Sequence, residues 1–367
     1  MATTVFVVVV LLRFFVPLAI PRFPLPAILA SLVLDAADQS IFQMFTDDPL
    51  PGYQSYDKAL DVYYLAVAYT STMRNWRDPV AFRTARFLYL YRLVGVALFE
   101  LFDARWLLLV FPNTFEYFFI VYEFVRTRWN PLRLGAVAIV AIAAVIWIFI
   151  KLPQEWWIHI AKLDFTDFMA DYPWMWGVLG GLAIAVAIAI YANRRRIPTP
   201  DWPFTVDVDR HLVVPAVPDE PEPFWSAVLV EKAVLLALIS VIFAQVLPDI
   251  RASNVGIAVG VTILVVLNAA VSQWLGRRGH TWANTAQQFV AMLVINVAIV
   301  AVDALIGRRT RGETPASNTL FFVLLLSLLI ALYDRFRATR DPAIDRKKVW
   351  PAVRAEREQS RHATMTT

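Results

Sequence analysis

The chain has 367 residues and a formal net charge of +4; hydrophobic residues make up 59% and charged residues 17%, and the mean hydropathy is +0.56. Ordinary soluble domains carry about 25% charged and about 45–50% apolar residues. The composition therefore excludes a soluble globular enzyme and a disordered chain, and cysteine, being absent, excludes disulfides, thiolate nucleophiles and cysteine metal sites.

A membrane helix needs roughly 20 mainly apolar residues, because its backbone must bond to itself across about 30 Å of hydrocarbon. About eleven segments meet that demand, near 4–20, 24–45, 55–74, 82–101, 105–126, 133–151, 173–193, 225–247, 254–275, 286–306 and 317–335. The expected fold is all-α and polytopic, multi-pass in a bacterial cytoplasmic membrane. The first run, Val5 to Ile20, has no basic stretch before it and no small-residue cleavage site after it. It reads as a retained helix.

Arginines cluster in alternate loops: Arg22; Arg74 and Arg77, with Arg83 and Arg86; Arg126, Arg128 and Arg133; Arg194 to Arg196; Arg277 and Arg278; then a basic tail. Excess Lys and Arg mark cytoplasmic loops. The other loops are acidic, with Asp47 and Asp48, then Asp164, Asp167 and Asp171. The expected topology is N-terminus outside and C-terminus cytoplasmic, with Arg308, Arg309 and Arg311 running against it.

Four regions follow. Residues 1–193 form a bundle of about seven helices that holds the polar site. Residues 194–224 are a proline-rich cytoplasmic linker, in which VDVDRHLVV alternates as a short strand would. Residues 225–335 form a second bundle of about four helices, more uniformly apolar, with Asn268, Asn296 and Asp303 among its few polar residues. Residues 336–367 are a charged cytoplasmic tail. No internal repeat stands out.

Chemistry concentrates in the first region. Asp35 and Asp38, with Gln39 beside them, share one face of the second helix, and Asp57 and Asp61 share one face of the third. Four carboxylates aimed at one point repel unless cations intervene. A divalent cation such as Mg²⁺ or Mn²⁺ would be held by Asp35, Asp38, Asp57 and Asp61. Alternatively, the acids pair with arginines of the next helix, and Asp57 favours the N-terminus of its own helix. Arg83, Arg86 and Arg92 lie on one stripe of the fourth helix; the first two suit snorkelling anchors. Arg92 lies deeper and needs a partner, with Asp61, Asp38 and Glu116 as candidates. In the fifth helix Pro112 predicts a kink beside Asn113 and Glu116, a place for an ion or a packing hydrogen bond. Asp61, Arg92 and Glu116 are the candidate catalytic residues. Further on, an outer loop holds Trp156, Trp157, Trp174 and Trp176, with an interfacial helix over 154–163. Glu155 and His159 in it have zinc-like spacing but no third ligand, so they read as an interfacial pair.

The pattern Asp35-x2-Asp38, Gly52, Asp57-x3-Asp61 resembles the CDP-alcohol phosphotransferase motif. That resemblance implies that Asp35, Asp38 and Asp57 ligate metal and that Asp61 is a base or a further ligand. Gln39, Phe42 and Gln43 stand where that family has glycine, alanine and arginine. TDDPLPGYQSYD resembles the outer acidic motif of polytopic glycosyltransferases that use polyprenyl-phosphate sugars, implying that Asp47 and Asp48 serve as base or metal ligand. LDAADQSIFQ, YDKALDVYYLAVAY, FPNTFEYFFI and IKLPQEWWIHIAKLD resemble an uncharacterised actinobacterial multi-pass membrane family. The leading expectation is a metal-assisted transferase acting on a lipid-linked phosphate substrate. Alternatives are a secondary transporter or ion pathway for a small ionic substrate, built on Asp38, Asp61, Arg92 and Glu116, and a non-catalytic scaffold subunit. The expected partners are the lipid bilayer and that substrate, with no nucleic acid; the oligomeric state is left open. Walker and dinucleotide fingerprints are absent.

Overall fold

The computed structural model describes residues 2–45, 53–163, 165–196, 198–208, 227–246, 282–307 and 316–338, together with positions 266 and 271. Among them every regular element is helical. The helices are α1 (Ala2–Phe15), α2 (Pro24–Phe45), α3 (Tyr53–Asn75), α4 (Pro79–Phe102), α5 (Trp106–Val110), α6 (Thr114–Arg126), α7 (Ala136–Ile160), α8 (Phe165–Asp171), α9 (Met175–Ala192), α10 (Ala227–Val246), α11 (Trp282–Gly307) and α12 (Ala316–Ala338). Among the described residues three stretches are long and apolar enough to cross a membrane: Trp106–Arg126, Ala136–Ile160 and Met175–Ala192. The expected 254–275 segment, Asp47, Asp48, Gly52, Asp164, Arg277, Arg278 and nearly all of the tail lie outside the described residues.

Local chemistry sets the boundaries. Pro79 opens α4 behind Asp78, whose carboxylate accepts from the N–H groups of Val80 and Ala81, and left-handed Asp103 closes it at φ 50°. At Pro112 the fifth apolar run breaks into α5 and α6, because proline has no N–H to donate and clashes with the preceding turn. The expected loop after residue 151 is instead helix: α7 runs on to Ile160 through π turns at Ile146–Lys151 and Trp156–Ile160. A π turn shifts the ladder by one residue, which carries the helix past Pro153 without the missing donor. The expected interfacial helix over 154–163 is thus largely the last part of α7.

The centre is α3, which packs against α1, α2, α4, α10 and α12. Its chain from Ala59 to Tyr69 is buried except at Asp61. It is also rich in polar groups, and these face inward. Hydroxyls of Thr70, Ser71 and Thr72 bond back to the carbonyls of Val67, Ala68 and Tyr69 at 3.0, 2.7 and 2.7 Å. Aromatic rings fill the space around it: Tyr69 stacks on Tyr89 at 4.5 Å, and Trp76 lies 4.0 Å from Tyr122. At the other extreme, α9 buries no residue against the described chain.

Residues 198–208 form an irregular strap over the end of α6; the rest of the expected strand lies outside the described residues. The strap satisfies the orphan carbonyls of that helix end. Trp202 Nε1 donates to the Arg126 carbonyl at 3.1 Å, Thr205 N to Thr127 at 3.0 Å and Asp201 N to Arg128 at 2.9 Å. Below it lies a cavity of about 170 Å³ lined by Asn75, Asp78, Glu123, Arg126 and Trp202.

Candidate functional site

Helices α1, α2 and α3 run antiparallel in turn. Their outer ends are level where Phe6 meets Phe42 and Tyr56, at ring distances of 6.5 and 5.5 Å. Arg13 lies seven residues further along α1, and Asp35 seven residues back along α2. That is about 10 Å below the aromatic layer at 1.5 Å per residue. At this depth five ionisable side chains meet. Arg13 Nη1 donates to Asp38 and, at 2.5 Å, to Asp57; Nη2 donates to Asp35 and, at 2.5 Å, to Asp61. The site is a cup with Arg13 as its floor.

Arg13 and Asp38 are buried, with side chains 2% exposed, whereas Asp35, Asp57 and Asp61 are 27%, 24% and 41% exposed. With all four acids ionised, four carboxylates against one guanidinium give a formal charge of −3. Carboxylate oxygens of Asp35, Asp57 and Asp61 lie within 4.8 Å of one another, close enough to hold one metal ion. Oxygen-only donors of this kind suit a hard cation.

One turn below Asp61, Tyr64 OH donates to Glu116 at 2.7 Å, and Asn113 Nδ2 donates to the other oxygen of Glu116 at 2.9 Å. This opens a second polar cluster, built on the break between α5 and α6. The backbone groups freed there are met by side chains. Arg92 donates to the Phe111 carbonyl at 2.9 Å, Tyr91 OH to Val110 at 2.9 Å, and Asn113 N–H donates to Glu155 at 3.1 Å. Glu155, buried, also lies 3.8 Å from Arg92 and 3.0 Å from His159. Lys151, 4% exposed, sits 3.9 Å above the Tyr117 ring. Gly95 lets α4 approach the break, since a Cβ there would overlap the side chain of Phe111.

The structure therefore brings Asp35, Asp38, Asp57 and Asp61 together, places Glu116 in the adjoining cluster, and puts Arg92 against the helix break. The arginine among the aspartates is Arg13. Its signal was one charge in an otherwise apolar run. The Glu155–His159 pair is closed by a buried carboxylate. The second half is less uniform than its hydropathy suggests. Glu231 accepts from Tyr69 OH and from Arg86 at 3.2 Å, and Asp334 takes Lys232 at 2.7 Å and Gln288 at 2.5 Å. These bonds tie α10 to α3 and α4, and α12 to α10 and α11.

No family model matches the chain, and neither a curated protein nor a solved structure matches it.

Proposed function

We propose that the protein is a secondary transporter that couples cation binding in the aspartate cup to movement of a small ionic substrate. It lies multi-pass in a bacterial cytoplasmic membrane, with about eleven spans, the N-terminus outside and the C-terminus cytoplasmic. The observation that carries this reading is the charge balance of the cup: four carboxylates share one buried arginine, and three of the four are half-open. Ionisable groups in a bilayer face the bundle interior and mark ion paths. Arg13 fixes the carboxylates in place, and a cation at Asp35, Asp57 and Asp61 supplies the missing positive charge. In proteoliposomes under sodium, potassium or proton gradients, the purified protein moves charge under at least one of them. Asp57→Asn and Asp61→Asn abolish that movement while the protein stays folded. Silence of the wild type under all three gradients defeats the reading.

The spacing of the three carboxylate oxygens favours a second reading: a transferase in which Mg²⁺ or Mn²⁺ neutralises a lipid-linked phosphate and Asp61 acts as base. Arg92, held at the helix break, has no part in it. Manganese titration followed by electron paramagnetic resonance tests this reading. A bound Mn²⁺ signal lost in Asp57→Asn, with turnover of a polyprenyl phosphate, supports the transferase; free Mn²⁺ only discards it.

A further inference from the structure

We infer that the break between α5 and α6 is a binding site for a small carboxylate bearing a hydrogen-bond donor on the adjacent carbon, an α-hydroxy or α-amino acid. In this structure Glu155 occupies the carboxylate position. The inference names the substrate class for the transport reading and rests on it.

The first support is where Glu155 sits. A membrane helix interrupted in mid-span exposes the N-terminal amides of its second half, and such half-helix N-termini receive anionic groups. Here the amide of Asn113 at the start of α6 is met by a carboxylate, and Arg92 and His159 close on the same carboxylate. Glu155 comes from a different helix, on a side chain with three rotatable bonds. The surroundings fit any carboxylate.

The second support is a set of polar atoms that the protein leaves unmatched at the same break. Thr114 Oγ1, Asn113 Oδ1 and Gln154 Oε1 are buried and have no hydrogen-bond partner. Thr114, the first residue of α6, is 1% exposed. Gln154 lies on α7 between Lys151 and Glu155. Buried polar groups are matched in the large majority of cases, so three orphans gathered at one break leave room for a polar ligand. The hydroxyl is a donor for a carboxylate. The two amide oxygens are acceptors, which a ligand with its own O–H or N–H satisfies, while the rest of the Gln154 side chain bonds to Tyr117.

The third support is Lys151. It is buried one helical turn from Glu155 on the same face, and over the Tyr117 ring. Among the described residues no carboxylate lies within ion-pair distance of it. Arg92 and Lys151 balance Glu116 and Glu155. An incoming carboxylate therefore keeps the balance when Glu155 swings out. His159, one turn further along α7 and part-exposed, already pairs with Glu155 at 3.0 Å and would keep that pair as Glu155 swings out.

The test is isothermal titration calorimetry on the full chain in nanodiscs with lactate, alanine and propionate. Lactate or alanine binds the wild type, and propionate, which lacks the donor, binds about tenfold more weakly. Glu155→Gln, which weakens the internal competitor, binds lactate or alanine about tenfold more tightly. Lys151→Met loses about tenfold. Where Lys151→Met fails to fold, Thr114→Val, which removes only the hydroxyl donor, carries the same expectation. Absence of lactate and alanine binding up to millimolar concentration in both wild type and Glu155→Gln overturns the inference, as does propionate binding as well as lactate. Charge movement is read separately on the same preparations. Cation-driven charge movement without ligand binding leaves the transport reading standing and removes this site. Ligand binding without charge movement does the reverse.

Discussion

The aspartate cup and the helix break lie side by side in one bundle, joined through Tyr64, and they handle buried charge in opposite ways. In the cup, one arginine serves four carboxylates and the mouth is half-open, so the charges do not close among themselves. At the break, two cations face two carboxylates, and three of the four bond to backbone or side chains of the break itself. A balanced, enclosed set can lock an interrupted helix. An unbalanced, half-open one needs something from outside. On the readings proposed above, the cup gains an ion that its own charges lack, whereas the break exchanges one carboxylate for another.

The harshest way to break the comparison is to remove the floor of the cup. Arg13→Met leaves four carboxylates converging without a counter-charge. Loss of one partner of a buried ion pair costs about 3–5 kcal/mol. The expected result is a protein that fails to assemble or melts far lower in detergent. Arg13→Met combined with Asp38→Asn and Asp35→Asn recovers part of the loss. A single Arg13→Met variant with wild-type stability would mean that the cup is not held by charge.

Next in size is the break. Glu155→Leu deprives the Asn113 amide, Arg92 and His159 of their shared acceptor, at about 1–3 kcal/mol for groups left unmatched. Gly95→Val acts on the same region by volume, pushing α4 off Phe111, and overpacking of this kind costs about 1–3 kcal/mol. Thermal unfolding in detergent reads both. Within the cup, Asp38→Asn and Asp61→Asn sharpen the contrast. Asp38 is 2% exposed and bonded to Arg13, so its loss falls on stability. Asp61 is 41% exposed, so its loss falls on cation binding with a smaller change in melting. Equal melting shifts in the two variants would remove the distinction between floor and mouth.

Much of this was legible in the chain, for reasons of periodicity. Apolar runs mark the helices, three of them among the described residues long enough to cross a membrane, and spacings of three and four put Asp35 with Asp38 and Asp57 with Asp61 on single faces. Pro112 marks the break because a proline in a helix has one consequence wherever it falls. Three things were not legible. Arg13 is a lone charge in a run whose average reads as lipid-facing, and only the meeting of α1 with α2 and α3 shows that its face turns inward. Pro153 suggests an end to α7, but two π turns carry the ladder past it. Glu231, Lys232 and Asp334 stand near the ends of apolar segments, where charges are ordinary. Their pairing needs three helices to meet at one level, and tertiary packing decides that.

The gentlest test leaves both clusters intact and changes only the field at the mouth of the cup. Lys58 neighbours Asp57 in α3, and its ammonium pairs with Glu100 of α4 at 2.8 Å while 46% exposed. A pair this exposed contributes about 0–1 kcal/mol, so Lys58→Ala leaves melting nearly unchanged. It does remove a positive charge next to a site of formal charge −3. Cation affinity should rise, by about twofold at low salt for a solvent-screened neighbour. The gain should fade as ionic strength rises and the Debye length drops below about 8 Å. The break, which exposes no charge toward that mouth among the described residues, should bind lactate as before. A rise in cation affinity that persists at high salt would mean that Lys58 blocks the cup by contact and not by charge. No rise at any salt would mean that the cation does not enter between Asp57 and Asp61.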